Sequence, residues 1–102
     1  MNLIVLYPQP TDVEKFEADY AAHLALLREK AGIPPQEKPY TVTKFAPSPE
    51  GTPRYYQMFT MSYASPEALG EALASPGMQE VAADARRIST GGAPMVLFGE
   101  VG

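Results

Sequence analysis

The spacing of apolar and polar residues changes rhythm along the chain, and each change predicts an element. Asn2-Leu-Ile-Val-Leu-Tyr7 is almost continuously apolar and stops at Pro8 and Pro10, which reads as a strand buried on both faces. From Val13 the period becomes helical. At about 100° per residue, Val13, Phe16, Tyr20, Leu24, Leu27 and Ala31 form one stripe, with His23 on its edge beside Phe16 and Leu27. Asp12, Glu17, Arg28 and Glu29 fall elsewhere, as a solvated face would. Thr11-Asp-Val-Glu14 fits a capping box, with Thr11 as the cap and Glu14 reaching back to it; such a cap is worth about 1 kcal/mol. Gly32 followed by Ile33-Pro34-Pro35 stops the helix.

After a polar connection, Tyr40 to Phe45 alternates as a strand. Ala46 to Pro53 is a proline- and glycine-rich loop suited to a hairpin tip. Arg54 to Tyr63 is a long strand, with Tyr55, Gln57, Phe59, Met61 and Tyr63 on one face and Tyr56, Met58, Thr60 and Ser62 on the other. Ser65-Pro66-Glu67 opens a helix with a cap residue followed by proline, and Leu69 and Leu73 share its inner face. Ser75-Pro76-Gly77 repeats that start and splits the helix. Its second piece, Pro76 to Ile88, should bury Met78, Val81, Ala82 and Ala85. Thr90-Gly91-Gly92 is a turn, and Ala93 to Phe98 is the last strand.

The order β-α-β-β-α-β defines an α+β, ferredoxin-like sandwich: a four-stranded antiparallel sheet with helices on one face. The first and third strands are apolar or aromatic on both faces, yet the helices cover only one. A soluble monomer rarely carries such a patch, so a closed homodimer packed sheet to sheet is expected. The stripe Tyr55, Phe59, Met61 and Tyr63 reads as the core of that dimer rather than as a cofactor box.

Composition narrows the function. The 102 residues make a single domain, residues 1–102, and 45% apolar content is ordinary for a globular chain. A net charge of −4, with Arg86-Arg87 the only adjacent basic pair, argues against a nucleic-acid or anionic-membrane partner. One histidine, no cysteine and no H-x-x-E or D-x-D cluster leave a metal without a ligand set. Thr90-Gly91-Gly92 precedes a strand, so it offers no helix N-terminus to a phosphate. The run Leu3 to Tyr7 is too short to span a membrane and lacks the form of a leader. A cytoplasmic protein without a cofactor is expected.

The candidate chemistry centres on His23. A neutral imidazole on an apolar face can act as general acid or base near neutral pH. Tyr20, three residues earlier on the same face, and Tyr7, at the end of the first strand, could each hydrogen-bond a ligand carbonyl or enolate and work with it. Asp84 with Arg86 or Arg87 reads either as an acid with a charge clamp for an anionic ligand or as solvated helix-end charges; the second reading is favoured.

Several segments, in order, resemble the EthD family, named for a protein linked to ethyl tert-butyl ether degradation. They are Leu6-Tyr-Pro-Gln-Pro10, the helix with Phe16, Asp19-Tyr20 and His23, then Ala74-Ser-Pro76, Ala82-Ala-Asp84, Thr90-Gly-Gly92 and Phe98-Gly-Glu100. The resemblance spans nearly the whole chain. It implies a dimeric α/β barrel with a pocket between sheet and helices of each protomer, and it makes His23 the family's histidine. The family commonly continues x-Pro-Leu after that histidine; here the run is His23-Leu24-Ala25-Leu26, so the helix should continue unkinked. The implied function is binding of a small, largely apolar or carbonyl-bearing metabolite, with His23 assisting isomerisation, cyclisation or cofactor-independent oxidation in degradative metabolism. A non-catalytic accessory or stress-type dimer, and a haem-binding barrel with His23 as axial ligand, are the alternative readings.

Overall fold

The computed structural model describes residues 1–102. The elements are β1 (Asn2–Pro8), α1 (Val13–Ala31), β2 (Tyr40–Lys44), β3 (Tyr55–Ser62), α2 (Pro66–Ala74), α3 (Pro76–Ile88) and β4 (Met95–Gly99). The strands form one sheet in the order β2-β3-β1-β4, with every neighbouring pair antiparallel. This is the ferredoxin-like α+β architecture expected from the element order. No helix is long and apolar enough to cross a membrane.

The helix ends follow from local chemistry, with one change from the sequence reading. Asp12, not Thr11, caps α1: its carboxylate accepts from the Lys15 N–H at 3.1 Å, and the Thr11 N–H donates instead to Thr90 Oγ1 at 3.1 Å. At the other end Gly32 takes the left-handed conformation (φ 66°), and the N–H groups of Ile33 and Gly32 reach back to the carbonyls of Arg28 and Glu29. Ser75 serves two helices. Its hydroxyl donates to Ala72 O at 2.7 Å, closing α2, and accepts from the Met78 N–H at 3.3 Å, opening α3. α1 runs unbroken past Ala25, as the missing proline allows.

Register decides which side chains meet. Leu3, Val5 and Tyr7 pair with Met61, Phe59 and Gln57, and this face lies under the helices. A bulge between Tyr7 and Pro8 leaves Tyr56 as an extra residue, so β3 does not alternate along its whole length. Tyr56 turns to the helix side, edge-on to Phe16 at 5.6 Å, with its hydroxyl 2.5 Å from Glu17. Tyr55 turns to the opposite face, its hydroxyl 3.6 Å from Met95 Sδ. The stripe expected to form a dimer core is therefore split. Phe59 and Met61 face the helices, and the uncovered face instead carries Ile4, Leu6, Met58, Met95 and Leu97.

The core between sheet and helices is aromatic at one end and aliphatic at the other. Tyr7, Phe16 and Tyr20 meet with ring centroids 5.5 to 5.6 Å apart. α1 contributes Phe16, Tyr20, His23 and Leu27 to this core, whereas Val13 and Ala31 are exposed. His23 is thus in the middle of the buried stripe rather than on its edge. α3 contributes Met78, Val81, Ala85 and Ile88. The two helices run antiparallel, with Lys30 and Glu80 paired at 3.1 Å towards one end and His23 and Asp84 at 2.8 Å towards the other.

Candidate functional site

The helices do not fill the space above β1 and β3. Alanines on α3 are too short to reach the sheet at every turn, and a cavity of about 460 Å³ remains between them. That volume lies within the range of small-ligand pockets, roughly 300–1,000 Å³. Its floor is Leu3, Val5, Phe59 and Met61, with Val96 at the β4 side, and α3 supplies the far wall. Polar groups are few: Tyr7, His23, Gln79 and Arg86.

His23 is only 5% exposed, and what exposure it has faces this cavity. Its Nδ1 lies 2.8 Å from Asp84 Oδ2. An ionised carboxylate can only accept, so Nδ1 donates its proton to this pair and Nε2 is the ring nitrogen left outside it. Nε2 has no partner within the protein. Asp84 is itself held from the other side, its Oδ1 accepting from Arg87 Nε at 2.9 Å and Nη2 at 2.8 Å. Burial pushes the Asp84 carboxyl up, but the hydrogen bonds from His23 and Arg87, with the Arg87 charge, outweigh it and hold the group below the usual carboxylate range. The result is a chain Arg87–Asp84–His23 that fixes the imidazole's tautomer and its orientation.

Tyr7 is 1% exposed, lines the cavity, and has no hydrogen-bond partner for its hydroxyl. Burial, and then the charge of Asp84, raise its phenol well above the ordinary range, so it stays a donor at any physiological pH. Tyr20 lies elsewhere. Its ring stacks on Phe16 and tilts against His23 at 5.6 Å, but it lines a shallower hollow of about 250 Å³ beside β2 with Gln57, Glu17 and Lys44. Its hydroxyl is buried, and so is the amide of Gln57; neither has a well-formed hydrogen bond. Of the three residues singled out in the sequence, two share the cavity and Tyr20 backs the imidazole from behind.

The structure adds a residue that the sequence reading had set aside as a solvated charge. Asp84 faces inward because it lies on the buried stripe of α3, three residues after Val81 and four before Ile88. That spacing was the available signal. No group of three or more His, Cys, Asp or Glu side chains is positioned to hold a metal ion.

Residues 8–91 match the EthD domain model, more than half of the chain. The chain belongs to the EthD family. Among solved structures it is similar to an ethyl tert-butyl ether D (EthD) family protein from Bacillus halodurans C-125, with 30% identity and a TM-score of 0.82, covering 98% of this chain and 96% of that one. A dimeric ferredoxin-like protein of unknown function from Jannaschia sp. CCS1 has a TM-score of 0.70 at 18% identity, covering 98% and 96%. A candidate antibiotic biosynthesis monooxygenase from Caulobacter crescentus CB15 has a TM-score of 0.59 at 21% identity, covering 94% and 82%. The last two likenesses are of fold. No curated protein matches the sequence. The EthD match reaches from the end of β1 to the turn before β4, and so includes Asp84, His23 and both helices that hold them.

Proposed function

We propose that this EthD protein binds a small, largely apolar, carbonyl-bearing metabolite in the cavity and that His23 moves a proton on it. The observation that carries this is the pairing of His23 Nδ1 with Asp84 at 2.8 Å, which leaves Nε2 as a base on an apolar cavity wall. In the proposed step Nε2 takes a proton from the carbon next to the ligand carbonyl, and the electron pair of that C–H bond moves onto the carbonyl oxygen as an enolate. The Tyr7 hydroxyl donates to that oxygen. Asp84 stays ionised and stabilises the imidazolium that forms, which then returns the proton to another atom of the ligand. Isomerisation and cyclisation both follow from such an enolate. A positioned base of this kind contributes typically about 10²- to 10⁴-fold in rate.

The proposal includes a homodimer. Its support is the uncovered apolar sheet face of Ile4, Leu6, Met58 and Leu97, together with the dimeric state given for the Jannaschia protein. Pairing through that face leaves the cavity, on the helix side, free.

Deuterium incorporation from D₂O into 2-tetralone, an apolar ketone with acidic α-protons, tests the chemistry by NMR. The wild-type protein should accelerate exchange, and His23→Ala should abolish that acceleration while remaining a folded dimer. Acceleration that survives in His23→Ala would remove His23 from the role. Binding of 2-tetralone without exchange by the wild type would favour a non-catalytic accessory dimer.

A further inference from the structure

The cavity has a charged edge that the proposed proton transfer does not use. On α3, Gln79, Ala82 and Arg86 are spaced three and four apart, forming one ridge along the cavity. Ala82, with only a methyl group, leaves a gap between the two longer side chains. Gln79 and Arg86 are both exposed, so this ridge is the rim and the gap an entrance.

Charge bookkeeping around the rim isolates Arg86. Arg87 is held by Asp84, and Glu80 is paired with Lys30 at 3.1 Å. Arg86 makes no ion pair and no hydrogen bond with any other side chain. In a chain of net charge −4, an unpaired guanidinium at the entrance of an apolar cavity is a local reversal of the overall field. The interior beyond it offers Leu3, Val5, Phe59 and Met61, which welcome an apolar body and nothing charged.

We infer that Arg86 binds an anionic oxygen group at the mouth of the cavity, so that the ligand is an apolar acid: a ring or chain inside and a carboxylate at the rim. A planar guanidinium meets a carboxylate with two parallel hydrogen bonds, stronger than those between neutral groups. The anion remains at the surface, where water still reaches it, so its desolvation cost is small. An anion held at the rim also fixes how deep the body inserts, and so which carbon comes to His23 Nε2. Arg86 is a specificity residue in this scheme, not a catalytic one. The inference rests on the proposed occupation of the cavity by an apolar ligand.

Two fluorescent probes of the same shape separate the terms. N-phenyl-1-naphthylamine is the neutral body, and 8-anilinonaphthalene-1-sulfonate adds an anion in place of the carboxylate. Wild-type protein should bind both, the anionic probe more tightly. In Arg86→Gln that preference should fall by about two- to fivefold, the range for an ion pair at a solvated rim, while affinity for the neutral probe holds. Arg86→Glu should lose the anionic probe and keep the neutral one. An unchanged preference in Arg86→Gln would overturn the inference while leaving the cavity reading intact. Ala82→Trp, which blocks the gap, should abolish binding of both probes. Binding that persists in that variant, or a wild type that takes up neither probe, would overturn the cavity reading and the inference with it.

Discussion

Replacing Asp84 by asparagine removes one charge and no volume, and its effects can be worked from three contacts. Two come from Arg87, whose side chain is 59% exposed; pairs of that kind contribute about 0.5 kcal/mol. The third, the 2.8 Å bond from His23, joins side chains 6% and 17% exposed. A hydrogen bond to a charged group in such a setting is worth about 1.5–3 kcal/mol, and an asparagine oxygen recovers part of it. A net loss of about 1.5 kcal/mol is expected, or roughly 6–12 °C in Tm for a domain of this size. The pH dependence carries a sign. Asp84's carboxyl is held below its ordinary value of 3.8 in the folded state, so its contribution is complete above that pH and is lost as the pH falls through the lowered value. Thermal melts of wild type and Asp84→Asn at one protein concentration, from pH 7 down into the acid range, should show a gap that closes below about pH 4. A gap that is absent at neutral pH, or that stays constant into acid, would refute the assignment of Asp84 as an ionised partner of His23.

Other consequences are as direct. A Cβ on Gly91 would lie 1.8 Å from the Gln9 carbonyl oxygen, and Gln9 is itself held by Arg54, Pro53 and Tyr55. Gly91→Ala should therefore cost about 1–3 kcal/mol in denaturant titration, and a neutral result would show that the Gln9 loop yields. Tyr7 has its phenol raised above the ordinary value of 10.0 by burial, so folding stability should be intact below that pH and decline above it. Tyr7→Phe should flatten the alkaline decline in pH-dependent melts; an identical slope would place the effect elsewhere. Leu6→Glu puts a charge at the centre of the uncovered sheet face, where Leu6 pairs with Met58 and Met95, and should convert the proposed dimer to monomer in sedimentation velocity. A dimer that survives Leu6→Glu would have its interface on another surface.

The fold was legible because each element announces itself locally. Proline and serine open α2 and α3, glycine closes α1, and β1, β2 and β4 stand out as short apolar or alternating runs. Distances along the chain limited what else could be read. The bulge at Tyr56 depends on how β3 meets β1, some fifty residues away by sequence number, and nothing local marks it; a strict alternation put Tyr55 on the face of Phe59 and Met61, from which the bulge turns it away. The cap is a similar case in miniature. Thr11 fits the pattern, but Thr90 competes for its N–H across the fold, and the neighbouring Asp12 takes over. For the site, His23 and Tyr7 stood out as polar tips on apolar faces. Asp84 carried the same signal, a carboxylate in step with Val81 and Ile88, but beside two arginines it resembled ordinary surface charge. Only the antiparallel packing of α1 on α3 brings Asp84 opposite His23. Tyr20 shows the reverse: its helical position is right, yet it faces β2 rather than the cavity.

Because the chain has one histidine, imidazole signals in ¹⁵N NMR belong to His23 without assignment. Long-range ¹H–¹⁵N correlation distinguishes which ring nitrogen is protonated, and recording it with and without 2-tetralone tests the central claim directly. The ring should carry a proton on Nδ1 that is held more firmly in wild type than in Asp84→Asn, and its Nε2 resonance should move when the ketone binds. A proton on Nε2 instead of Nδ1 in the wild type, or an Nε2 resonance indifferent to bound ketone, would contradict that claim.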